Sequence, residues 1–134
     1  RFSMLASASL PHAISPCRAA VRMPSNTWFA GIACAIARAN GIDISTQRAR
    51  QVRGTDFAHF DLVLAMDRTN ERDLKALSAP QHHARIRRLR EFDTEPGHDV
   101  PDPWFGTHGF DLVFAMIDRC SRRVLDHVRA DLPR

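Results

Sequence analysis

The chain has 134 residues, 44% of them hydrophobic and 25% charged, which suits one soluble globular domain just large enough for an α/β core. It contains no apolar run near the ~18–20 residues of a spanning helix, which excludes a transmembrane reading. The formal net charge of +4 argues against nucleic-acid binding once its distribution is seen: Arg1, Arg18, Arg22 and Arg38 supply all of it, and from residue 41 onward basic and acidic residues balance.

In chain order, residues 1–31 have neither a helical nor a strand period, are rich in Ser, Ala and Pro, and are broken by Pro11, Pro16 and Pro24. No acidic residue precedes Asp43. A transit-type peptide, an unfamiliar native N-terminus and an out-of-frame stretch upstream of a genuine domain all fit this composition. The expected division is therefore an irregular segment, 1–31, and a domain, 32–134. Ile32–Asn40 reads as the end of a helix, with Gly41 at the position after the cap where a positive φ is wanted. Phe60–Met66 is a nearly continuous apolar run, as in a strand buried on both faces of a parallel sheet. Glu71–Leu77 follows as a helix, with Asp67 or Thr69 as its N-cap. Arg85–Phe92 alternates loosely and reads as a second strand, with Arg85, Arg87, Arg88 and Arg90 along one solvated edge. Residues 94–108 form a Pro/Gly-rich loop. Phe110–Leu132 is the last and longest helix, with an apolar stripe of Phe110, Val113, Phe114, Ile117, Cys120, Val124, Leu125 and Val128. Strands alternating with helices imply an α/β architecture, a parallel sheet flanked by helices.

Chemistry concentrates in Asp99-Val-Pro-Asp-Pro-Trp-Phe-Gly106. Asp102 lies between two prolines that fix φ on either side and hold its carboxylate on a stiff loop. Trp104 and Phe105 follow at once, and an acid beside an aromatic wall suits proton donation to a leaving group on a flat ring. On spacing alone, a surface turn whose aromatics pack on the core fits the same residues. Asp67 and Asn70 fall at the C-terminal end of a parallel strand, where α/β folds place ligand sites, although a helix cap explains them equally. His82-His83 lacks metal-ligand spacing. Three cysteines, Cys17, Cys34 and Cys120, make an odd number with no CxxC, which points away from disulfides and zinc and toward a reducing compartment, the cytoplasm. Cys34 and Cys120 lie on apolar helix faces, as core thiols do.

The run Gly41-Ile-Asp-Ile-Ser45, then Arg48-Ala-Arg-Gln51, Asp56-Phe57, Phe60-Asp-Leu-Val-Leu-Ala-Met-Asp67, Asn70 and Asp99–Gly106 resembles the low-molecular-weight protein tyrosine phosphatases from about Ala33 to the C-terminus. The resemblance implies a parallel α/β sheet and hydrolysis of phosphotyrosine, in a protein or a small aryl phosphate, through a cysteinyl-phosphate with no metal or other cofactor. It implies Asp102 as the general acid and Trp104 and Phe105 as the wall of the substrate slot. Asp99 has no role in this reading, and Ser45–Arg50 serves loop packing. The family's nucleophile loop has the form C-x5-R after a first strand; here Cys17-Arg-Ala-Ala-Val-Arg22 is one residue short and has no strand pattern before it. The expectation is thus a phosphatase-like domain lacking its first strand and phosphate loop, with an inactive pseudo-phosphatase or gene remnant as the alternative. Arsenate reductase shares the fold but needs a cysteine relay that Cys34 and Cys120 do not match.

Overall fold

The computed structural model describes residues 27–47, 50–103 and 109–131. Helix α1, Thr27–Ala39, ends as Gly41 requires: Gly41 takes φ 77°, its N–H donates to Arg38 O at 3.0 Å, and Ile42 N–H donates to Ala37 O at 2.8 Å. Both bonds satisfy carbonyls that the last helical turn would otherwise leave open, and the left-handed residue between them is a glycine. The helix includes residues 27–31, which the sequence reading assigns to the irregular segment; the last proline break is Pro24, and Gly31 after it weakens a helix without breaking it.

A short helix, α2 (Asp56–His59), leads into strand β1 (Val63–Ala65), helix α3 (Arg68–Leu77) and strand β2 (Ile86–Arg88); α4 (Phe110–Asp131) closes the chain. Among the described residues the sheet has two parallel strands, with Val63 opposite Ile86, Leu64 opposite Arg87 and Ala65 opposite Arg88. Successive side chains of β1 point to opposite faces. Val63 and Ala65 join Phe57, Phe60, Leu74 and Ile86 on the α3 side. Met66 joins Leu89, Val100, Val113 and Cys120 on the α4 side, and Leu64 packs against both groups. Burial on both faces explains the unbroken apolar run in the sequence. Helix α4 contributes Val113, Met116, Ile117, Cys120 and Val124 to its core face, close to the expected stripe.

The second strand is shorter than expected. Only Ile86–Arg88 pairs; Leu89–Phe92 is a 3-10 helix, as is Pro80–Arg85 before the strand. A period near three breaks the alternation, so Leu89 and Arg90 are both buried. The solvated arginine edge is accordingly corrected. Arg85 donates to Phe60 O at 3.3 Å, and Arg87 pairs with Glu91 at 2.9 Å while lying 4.7 Å over the Phe92 ring. Arg88 pairs with Glu71 at 3.0 Å. Arg90 is held by Asp93 and donates to Pro96 O at 2.7 Å. None of the described helices is long and apolar enough to cross a membrane.

Candidate active site

Both strands run the same way, so their C-terminal ends open on one side, where α/β folds carry ligands. Asp67 leaves β1 in an extended conformation (φ −142°, ψ 173°) and caps α3, its Oδ1 accepting from Asn70 N–H and from Asn70 Nδ2, both at 2.6 Å. The cap is thus Asp67 rather than Thr69. Asn70 is buried, and its Oδ1 has no hydrogen-bond partner among the described residues. Removing the cap with Asp67→Ala should lower stability by about 1 kcal/mol, read as a lower urea midpoint at unchanged slope.

The segment from Asp93 to Pro103 brings Asp102 to this end of the sheet. At its start, Asp93 has no exposed side-chain surface and accepts from Arg90 and from Arg119 of α4, at 2.7 Å to Nε and 3.0 Å to Nη2. The Arg119 guanidinium holds the Asp93 carboxyl well below the usual carboxylate range. Glu95 adds a second contact to Arg119 at 2.9 Å. Gly97, at φ 150°, lets the chain pass over Arg90: a Cβ there would sit 1.9 Å from Nη2. Farther on, Asp99 accepts from the Arg68 backbone N–H at 3.1 Å, and Val100 N–H donates to Met66 O at 2.8 Å. Asp102 follows, half-buried between Pro101 and Pro103. The loop that carries it is therefore fastened to α4 at one end and to the β1–α3 turn at the other.

Trp104, Phe105 and Cys17 lie outside the described residues. Of the other two cysteines, Cys120 is fully buried, and burial followed by the neighbouring Asp93 charge pushes its thiol up to about 11. Such a thiol is protonated near neutrality and shielded, the reverse of a nucleophile. Cys34 is half-buried on α1, and both thiols are free. His83 Nε2 lies 3.0 Å from Lys75 O, a local contact of the 3-10 turn. No group of three or more His, Cys, Asp or Glu side chains among the described residues could hold a metal ion. The Arg50–Asp56 elements of the sequence pattern meet as a two-point pair at 2.7 and 2.8 Å, and Asp56 also accepts from Arg53 N–H at 2.8 Å. That pair holds the Asp56 carboxyl below its ordinary value and folds the 50–55 segment onto α2. Ser45 N–H donates to Asp43 at 2.9 Å, a local turn at the start of the Ser45–Arg50 stretch, of which Arg48 and Ala49 lie outside the described residues.

The contacts that sequence reading missed are Asp93–Arg119 and Asp99–Arg68. They join residues 26 and 31 positions apart, beyond any local pattern.

The sequence profile of the low molecular weight phosphotyrosine protein phosphatases matches residues 19–134. The low molecular weight protein-tyrosine phosphatase A of Mycobacterium tuberculosis is 38% identical over 127 residues, covering 86% of this chain and 76% of its own length. The low molecular weight phosphotyrosine protein phosphatase of Sus scrofa is 36% identical over 95 residues, covering 69% of this chain and 60% of its own. The chain thus spans less than two thirds of the length of the porcine relative. Among solved structures, YfkJ from Bacillus subtilis superposes with a TM-score of 0.64 at 26% identity, covering 74% of this chain and 62% of that one. The apo protein tyrosine phosphatase of Entamoeba histolytica shares the fold with a TM-score of 0.67 at 24% identity, covering 75% and 70%. With its α/β fold and the ordered motifs from Gly41 to Pro103, the chain belongs to the low molecular weight phosphotyrosine protein phosphatase family.

Proposed function

We propose that this chain carries the acid half of a phosphotyrosine-hydrolysing site. As a cysteine sulfur bonds to phosphorus and the aryl P–O bond breaks, Asp102 gives its proton to the departing phenolate. It then takes a proton from the water that attacks the cysteinyl-phosphate, releasing inorganic phosphate and the thiolate. Trp104 and Phe105 would wall the slot for the aryl ring of a phosphoprotein or small aryl phosphate. The observation that carries this reading is the bond from Val100 N–H to Met66 O at 2.8 Å, which docks the Pro-Asp-Pro loop at the C-terminal end of β1. The free thiols Cys34 and Cys120 support a reducing, cytoplasmic setting.

The nucleophile is the open half. The chain contains no C-x5-R sequence, and Cys120 is too buried and too weakly acidic to serve. The same features speak against an arsenate-reductase relay through Cys120. We therefore propose that the chain as it stands turns over no phosphate ester by itself. Its hydrolysis of p-nitrophenyl phosphate should be no faster than that of its Asp102→Ala variant. Replacing residues 1–26, so that α1 stays whole, by roughly forty residues of an intact family member, one strand–loop–helix–strand unit, should restore turnover sensitive to vanadate. A vanadate-sensitive activity of the unaltered chain that vanishes in Cys17→Ser would overturn the inactive reading and place the nucleophile at Cys17.

A further inference from the structure

The residue three positions before the acid is, in the sequence, an ordinary loop carboxylate. In the structure Asp99 occupies a junction. Its Oδ1 accepts from the backbone N–H of Arg68, the first residue of α3, at 3.1 Å, and its Oδ2 accepts from Arg68 Nε at 3.2 Å. Arg88, the last residue of β2, lies 4.0 Å from Oδ1 through Nη1, and the same nitrogen donates to His98 O at 3.4 Å. Arg88 is itself fixed by Glu71 of α3 at 3.0 Å. One carboxylate thus joins the start of α3, the end of β2 and the acid loop.

Only two residues separate this junction from Asp102, and neither has much freedom. Val100 is buried in the α4-side core and donates its N–H to Met66 O. Pro101 has its φ locked by its ring, as does Pro103 beyond the acid. Displacement of Asp99 would therefore pass to Asp102 with little loss, whereas an ion pair on a flexible loop would be felt only locally. The negative carboxylate also lies at the N-terminus of α3, where the helix dipole favours it, so the bond to Arg68 N–H is charge-assisted.

From this geometry we infer that Asp99 is a positioning residue for Asp102: it clamps the acid loop to the β1–α3 turn through Arg68 and to β2 through Arg88. Its catalytic meaning rests on the reading of Asp102 as the acid; the clamp itself does not.

The test is per-residue amide exchange by NMR on the full chain, with Trp104 anisotropy as a second readout. Trp28 and Trp104 are the two tryptophans, so a Trp28→Phe background leaves emission from Trp104 alone, two residues past the acid. Asp99→Ala should speed exchange at the Val100 amide by about tenfold or more, the size expected for loss of a charge-assisted bond. Amides of α4 and of the β1–β2 ladder should keep their rates, and Trp104 anisotropy should fall. Asp99→Asn retains an oxygen for Arg68 N–H and should show a smaller change in both readouts. Unchanged Val100 exchange, a uniform rise at all amides, or unchanged Trp104 anisotropy would each overturn the inference. If instead Asp102→Asn proved kinetically silent in the restored enzyme, the acid assignment would fail while the exchange result at Val100 stood.

Discussion

Asp102→Asn, introduced into the chimera with a restored nucleophile loop, should lower kcat about 10²–10⁴-fold on phenyl phosphate, the usual contribution of a placed general acid. KM should change little, because the proton moves only as the P–O bond breaks and the carboxyl contributes mainly in the transition state. The loss should shrink for esters with very acidic leaving groups, which depart without help. The loop's own contacts make the experiment clean: Asp102 is preceded by a buried valine and flanked by prolines, so an isosteric amide should not shift the backbone. Asp99 is unsuitable as the comparison residue because of its bonds to Arg68. Asp126, 70% exposed on α4, is suitable, and Asp126→Asn should leave kcat unchanged. Equal, mild effects of Asp102→Asn and Asp126→Asn would remove Asp102 as the acid.

Asp93→Ala should be the most destabilising single change among the charged residues described, by about 3–5 kcal/mol, because it strands the buried Arg90 guanidinium and frees Arg119. Against a typical domain stability of about 5–15 kcal/mol, that is enough to show as a large fall in the urea midpoint. The pH dependence has a definite sign. The folded state holds the Asp93 carboxyl below its unfolded value, so between the two values the unfolded chain binds more protons. The contribution of Asp93 is therefore fully present above about pH 4–5 and is lost as acid protonates the folded carboxylate. The parent should lose stability on going from pH 6 to pH 3 more steeply than Asp93→Asn. Parallel curves for the two proteins would show that the buried pair carries no such linkage.

What was legible in the sequence followed a local rule. The Gly41 terminus, the Asp67 cap, the doubly buried β1 and the long stripe of α4 each arise from residues within a few positions of one another. The stiff Pro-Asp-Pro loop was legible for the same reason, and the acid role proposed for Asp102 rests on it. The arginines after residue 84 were misread because a strand period was carried through Leu89–Phe92, where a 3-10 turn sends Arg90 inward. No local rule makes Arg90 a core residue; it is buried because Asp93 and Pro96 O meet it there. The same holds for the site. Asp102 is proposed as the acid from its neighbours alone, but Asp93 and Asp99 meet Arg119 and Arg68, partners fixed only once the sheet and helices have assembled.

The crossing of Gly97 over Arg90 also bears on how such a sequence can drift. Any side chain at 97 would need both a positive φ and the volume that the guanidinium fills, so positions 90 and 97 form one steric choice. A side chain at 97 would push the Arg90 guanidinium aside, and Asp93 would then lose one of its two cations. Three positions within eight residues are consequently coupled.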